Sequence, residues 1–279
     1  MRRVQDRLSS SAIHFVLLAW TVLALFPLVL IFINSLKTRK AIFGDPLGLP
    51  TGKALSFSGY ESVMKNSDFL MFFGNSLTVT TVSLFLILLF GAMAAHAVSE
   101  YEFRGNTFIS LYLIVGIMVP IRLGTVALLN LIVDLGLANT LTALILVYTA
   151  QGLPIAIFIF SEFLRSVSRE IKDSARIDGL SEYRIFFEVV LPLVRPVIAT
   201  VAVFSMIPIW NDLWFPLILS PGEETRTVTL GVQQFIGQYS VKWGSVLASL
   251  SVAILPVLIM YVIFSRQLIR GITSGAVKG

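Results

Sequence analysis

The residues most able to do chemistry in this chain crowd between Glu162 and Pro196, in a sequence otherwise close to hydrocarbon. The segment reads EFLRSVSREIKDSARIDGLSEYRIFFEVVLPLVRP. Charge of both signs is dense there, and a glycine separates two short helical patterns. Such a segment suits recognition rather than bond making, because it presents charges and aromatics to another surface. Catalysis finds little support. No paired carboxylates, H-E-x-x-H or nucleophile elbow appears. There is no cysteine, so thiolate metal sites and cysteine nucleophiles are excluded. The two histidines, His14 and His96, are too few and too far apart for a metal cluster.

The surrounding composition explains why that island stands out. Of 279 residues, 56% are hydrophobic and 13% charged, and the mean hydropathy is +0.86. Soluble domains carry about 25% charged residues, so the expectation is a membrane protein. The isoelectric point near 9.6 does not point to nucleic acid. The basic residues flank apolar runs, as they do in membrane topologies, a distribution that suits a lipid bilayer better than a DNA-binding face.

A bilayer-crossing helix needs about 20 apolar residues. Six windows qualify, at about 12–36, 72–98, 107–131, 140–163, 191–219 and 244–264. The first follows Met1-Arg2-Arg3, but it is longer than a secretory signal core and lacks a cleavage site, so it is read as a retained helix. With the N-terminus inside, 13 basic residues fall on the cytoplasmic side and seven outside, with Arg122 inside a window. That asymmetry favours N-in and C-in. The fold class is therefore an all-α membrane protein, one transmembrane domain over 1–279. It has six spans and a cytoplasmic helix-turn-helix loop at 163–190. In the first external segment, glycines and prolines give way to SGYESVMKN (58–66), which predicts a short interfacial helix.

The polar island reads as helix, tight turn, helix. Ser168 can cap a helix that carries Glu170 in its first turn. Gly179 supplies the left-handed conformation that ends helices, and Ser181 can cap the next one. Tyr183, Phe186, Phe187 and Val190 then form an apolar stripe three and four residues apart. Pro192 and Pro196 mark re-entry into the membrane.

The spacing of this island resembles the EAA loop of ABC importer permeases. Asp173-Ser174-Ala175, three residues, Gly179, nine residues and Val189-x-Leu191-Pro192 follow its pattern, and Ala175-Arg176-Ile177-Asp178-Gly179 fits the fuller carbohydrate version. The departures are Asp173 for Glu, Ser174 for Ala and Leu180 for Ala. Trp210-Asn211-Asp212 looks like the family's W-N-[ED] element. Arg270 to Gly279, RGITSGAVKG, looks like its terminus. By these three motifs the chain resembles the maltose-type carbohydrate permease subunit. The resemblance implies a bacterial inner-membrane, multi-pass protein that imports a sugar or sugar derivative. It also implies four kinds of partner contact: a second permease subunit, two ATPase subunits, an extracytoplasmic solute-binding protein and lipid. ATP and Mg would sit on the ATPases, with no cofactor in this chain, which lacks a G-x-x-x-x-G-K-[ST] loop. The loop residues Asp173, Ser174, Ala175, Arg176, Asp178, Gly179, Leu180, Tyr183, Phe186 and Phe187 would engage an ATPase. Gln233, Gln234, Gln238 and Tyr239 would reach the binding protein.

Polar residues within the apolar windows are the remaining candidates. Arg122, Asn211 and Asp212 could line a translocation path. An intramembrane arginine is costly enough to demand a cavity, a partner chain or an acid such as Asp134 or Asp212. Trp210 and Trp214 read as interfacial anchors beside Asp212. The alternative is an ion-coupled secondary transporter, but no internal repeat is evident, and such carriers are built from repeats.

Overall fold

Backbone chemistry, more than hydropathy, decides which apolar windows fold as one helix. The computed structural model describes residues 2–65, 68–237 and 240–276, with side chains between residues 11 and 265 of that range. In chain order the principal helices are α1 (Arg2–Ser35), α2 (Ser58–Lys65), α3 (Phe69–Glu100), α4 (Asn106–Met118), α5 (Thr125–Asp134), α6 (Leu141–Leu164), α7 (Arg169–Ile177), α8 (Arg195–Asn211), α9 (Trp214–Leu219), α10 (Trp243–Ala253) and α11 (Leu255–Ala276). Among the described residues no β-strand is named.

Four stretches are long and apolar enough to cross a bilayer: Ser11–Ser35, Phe69–Glu100, Leu141–Leu164 and Trp243–Ser265. The two other windows, 107–131 and 191–219, are not continuous helices. Asn106–Met118 and Ile121–Asp134 meet at 85°, and Glu182–Leu193 and Arg195–Asn211 at 76°. Proline causes both breaks. Pro120 pushes Val119 out of the helical region, to φ −82° and ψ 117°. Pro196 has no N–H to donate, so it sits in the first turn of α8, where none is needed. The 17 residues of α8 reach about 25 Å. Asp212 therefore stands in a break between α8 and α9, not at the end of one long helix from Pro192.

The described residues divide into two compact units. The first takes the chain up to Leu70 together with Gly231–Leu255. Within it α10 packs against α1 and α2. The predicted short helix after residue 58 is present as α2, with Val63 fully buried. Tyr60 of α2 pairs with the Ser35 hydroxyl at 2.8 Å, and the Phe43 and Trp243 rings meet edge to face at 5.8 Å. Lys37 is buried, and its ammonium donates to the carbonyls of Asp45 (2.8 Å) and Pro46 (3.2 Å). Its charge has a structural use, which weakens it as a marker of sidedness.

The second unit, Met71–Leu230 with Pro256–Gly279, holds both candidate sites. Its core joins Ile87 and Ala95 of α3, Leu144 and Phe160 of α6, Val201 of α8 and Phe215 of α9.

Close backbone approach in the first unit gives a stability test. A Cβ on Gly59 would lie 2.4 Å from the Gly244 carbonyl oxygen, so α2 and α10 meet backbone to backbone. Gly59→Leu is expected to destabilise the purified protein by about 1–3 kcal/mol, the usual cost of overpacking. Thermal unfolding in detergent should report this as a lower midpoint.

Candidate functional site

The 168–190 segment is built by local signals that agree with one another. The Ser168 hydroxyl accepts the Glu170 N–H at 3.2 Å and starts α7. Gly179, at φ 81°, ends it. There the Gly179 N–H bonds the Arg176 carbonyl (3.0 Å) and the Leu180 N–H bonds the Ala175 carbonyl (3.1 Å), the paired closure of a Schellman turn. Leu180 and Ala175 both turn toward the core cluster, the apolar contact that accompanies such turns. Leu180, where the resembled family has Ala, therefore serves the inner side of the turn. Ser181 precedes the next helix, but its side chain makes no capping bond.

The expected stripe divides after the turn. Phe186 and Val190 are buried, whereas Tyr183 is 77% and Phe187 48% exposed. Residues 185–190 form a π-helical turn, which explains the split, because i+4 spacing no longer keeps a stripe on one face. Asp173, Ser174, Asp178 and Gly179 are exposed, and Ile177 is 86% exposed. Charge and bare apolar side chains thus share one rigid turn.

An ion cluster holds this turn against the end of α3. Lys172 Nζ pairs with Glu100 Oε2, and Arg176 Nη2 with Glu100 Oε1 at 2.9 Å. Arg176 also donates to Glu182 at 2.8 Å and to Asp173 at 2.7 Å. The Tyr101 hydroxyl donates to the other Glu182 oxygen at 2.5 Å. Arg176, then Tyr101, hold the Glu182 carboxyl down to about 2 from its ordinary 4.5. Partial burial and the bond to Glu182 push Tyr101 up to about 12. A depressed acid contributes fully above its unfolded value near 4.5, and that contribution declines progressively as pH falls to about 2, where the folded carboxyl itself takes up a proton. In mild acid the folded Glu182 thus stays ionised and paired, although the stability the pair contributes is already falling.

The second candidate site lies at the two helix breaks. Asp212 is buried and accepts from Tyr148 Oη (2.9 Å) and from the backbone N–H groups of Phe215 (3.0 Å) and Trp214 (3.3 Å). It thereby caps α9. Arg122 approaches at 3.3 Å, with 66% of its side chain exposed against 7% for Asp212. Of the two acids weighed for Arg122, the partner is Asp212. Trp214 Nε1 donates to Thr125 at 3.0 Å. The α4–α5 break opens a cleft of about 840 Å³, lined by Tyr112, Gly116, Pro120, Arg122, Gln151 and Pro154 among others. Irregular backbone at membrane depth is tolerated where it lines a cavity, and here the Pro120 and Arg122 carbonyls are satisfied locally by Leu123 N–H and Thr125 Oγ1.

Residues 87–273 match the family described as binding-protein-dependent transport system inner membrane component. The chain belongs to that family. It is 30% identical over 275 residues to the diacetylchitobiose uptake system permease protein NgcG of Streptomyces coelicolor, covering 98% of this chain and 90% of the relative. It is 30% identical over 256 residues to the sulfoquinovosyl glycerol transport system permease protein SmoH of Agrobacterium fabrum, covering 91% and 89%. In fold it is similar to a crystal structure of a bacterial ABC transporter involved in the import of the acidic polysaccharide alginate. That match has a TM-score of 0.79 at 22% identity and covers 94% of this chain and 97% of that one.

In this inner membrane component the remaining sequence-predicted residues fall as follows. Asn211 is exposed and donates to the Ile207 carbonyl at 2.9 Å. Trp210, expected as an interfacial anchor, is buried against Phe73, ring to ring at 5.6 Å. Gln233 and Gln234 are exposed on a short 3₁₀ turn in the first unit. Gln238 and Tyr239 lie outside the described residues, as do Val277 to Gly279 of the terminal motif. Sequence reasoning missed Glu100, Tyr101, Lys172, Glu182 and Tyr148. One signal for the first group was present: Lys172 and Arg176 are four apart, hence on one helix face, around an alanine that must turn inward.

The geometry at Asp212 separates its role from that of Arg122. Asp212→Ala orphans a buried tyrosine hydroxyl and two N–H groups, so it is expected to cost about 3 kcal/mol or more. Arg122→Ala removes one exposed partner and should change stability by no more than about 1 kcal/mol. Thermal unfolding of the two purified variants checks both values.

Proposed function

We propose that this chain is the permease subunit of a bacterial, ATP-driven, binding-protein-dependent importer of a sugar or sugar derivative. One observation carries the coupling role assigned to it. The 168–190 turn is held rigidly from below by ions, yet it leaves Ile177, Tyr183 and Phe187 bare beside Asp173 and Asp178. A stiff element with an apolar tip and a charged rim suits docking into a partner's cleft, and it can pass on a displacement that a flexible loop would absorb. The saccharide class rests on family membership and on the names of the relatives.

On this reading the chain is one six-span domain, with the bent segments within 107–131 and 191–219 serving as its third and fifth spans. Its N- and C-termini and the 163–190 loop face the cytoplasm. A second permease subunit completes the pore, two ATPase subunits carrying ATP and Mg engage the loop, and an extracytoplasmic binding protein delivers the solute. Gln233, Gln234, Gln238 and Tyr239 form the contact with that binding protein. Arg122 lies at the cleft edge and Asn211 beside the break, so they remain this chain's contribution to the path. Asp212 acts there through Arg122, because its own oxygens are taken by Tyr148 and by backbone N–H groups.

The test is uptake by the full complex in proteoliposomes. Ile177→Asp alters a side chain in solvent, so the fold should survive. Uptake is expected to fall about tenfold or more, the effect of losing roughly 1.4 kcal/mol of docking. Unchanged uptake would overturn the docking role. So would labelling of an Ile177→Cys variant by a membrane-impermeant maleimide from the extracytoplasmic side.

A further inference from the structure

We infer that Glu100 is a positioning residue, gripping Lys172 and Arg176 so that the 168–190 turn and the end of α3 move as one body during transport. The inference rests on the permease reading above and names the path by which displacement of the turn enters the membrane.

The grip is built from opposite charges removed from water. Glu100 and Lys172 side chains are each 6% exposed, and each Glu100 oxygen takes a different cation. Two separate attachments fix the orientation of α7 as well as its distance from α3. Lys172 and Arg176 also face the carbonyl end of α3, where positive charge is favourable. Asn106 Nδ2 satisfies two carbonyls of that end, those of Val98 (3.1 Å) and Tyr101 (2.9 Å).

Other anchors for α7 are weak. Its nine residues bury a single apolar side chain, Ala175, and a methyl group gives little hydrophobic hold. The connection from α6 is a short turn in which the Ser166 hydroxyl bonds the Phe163 carbonyl. On the far side Arg176 extends the grip to Glu182, and Phe186 lays its ring 5.6 Å from that of His96 on α3. Both halves of the helix-turn-helix are thus tied to one place, the last turn of α3. For α7 itself, which buries little else, a force on the exposed tip reaches α3 chiefly through the Glu100 pairs, while Glu182–Tyr101 and Phe186–His96 tie the second half of the turn. Removing one partner of a buried pair leaves an uncompensated charge and is strongly disruptive.

The chain has no cysteine, which permits paired spin labels at Glu102→Cys and Arg169→Cys, both exposed positions. In the reconstituted full complex the label distance should be single, narrow and the same with ADP as with ATP and vanadate. In Glu100→Gln the distance should broaden, and solute moved per ATP hydrolysed should fall about fivefold or more, the lower range of coupling effects. Glu100→Asp should restore part of that ratio, which a general loss of folding would not allow. A distance that shifts between nucleotide states in the native complex overturns the inference, as does Glu100→Gln with an unchanged transport ratio. Should Glu100→Gln fail to assemble, the native distances alone decide. A native complex with no ATP-dependent uptake refutes the permease reading, while the distances still judge the grip.

Discussion

A buried carboxylate at the end of a long apolar helix is the constraint from which the polar half of this molecule follows. Unpaired, the Glu100 charge would be too costly to keep out of water. The chain answers with two cations one helical turn apart, which fixes both where α7 lies and how it is rotated. Rotation then decides what faces outward. With Lys172, Ala175 and Arg176 turned in, Asp173, Ser174 and Ile177 are left to solvent. Bare apolar residues on a charged turn are thus a consequence of satisfying the acid, not a failure of packing.

The same logic governs Asp212, with different donors. Glu100 is neutralised mainly by ionic partners, whereas Asp212 is solvated mainly by dipoles, a phenol and two backbone N–H groups. Those N–H groups belong to the first turn of α9, so the acid also compensates the break that α8 leaves. A carboxylate that already has its hydrogen bonds has less need of Arg122, and that guanidinium remains largely in the open at the cleft. One acid is therefore a clamp and the other a cap, although both are short polar interruptions of an apolar chain.

Legibility in the sequence tracks the range of the interaction. The Ser168 start and Gly179 stop were readable because each signal acts within a few residues of itself. Four spans were readable because a long apolar run has few other uses. The breaks at Pro120 and Pro196 were hidden inside windows scored by hydropathy, which is blind to a missing N–H. Trp210 shows the same limit: composition marks tryptophan as amphipathic but not that Phe73 stands opposite it. The Glu100 pairs were the hardest to see, because 72 and 76 residues separate the partners, and the spacing of Lys172 and Arg176 marks a shared helix face without naming the acid it meets.

Pro192 shows how one residue can write two messages. As a marker of membrane re-entry it is visible in the sequence, but its backbone effect is not. Its ring crowds the carbonyl one turn earlier and it brings no N–H to the helical ladder. The ladder shifts instead: the Leu191 N–H reaches back five residues to the Phe186 carbonyl. That single π turn inserts an extra residue into the apolar stripe and separates two adjacent aromatics. Phe186 turns inward against His96, and Phe187 stays half in solvent with its ring 5.0 Å from Phe186. An uninterrupted α-helix would keep Tyr183, Phe186, Phe187 and Val190 on one face, leaving either the anchor to α3 or the exposed tip without its aromatic. The proline lets one short helix serve both surfaces.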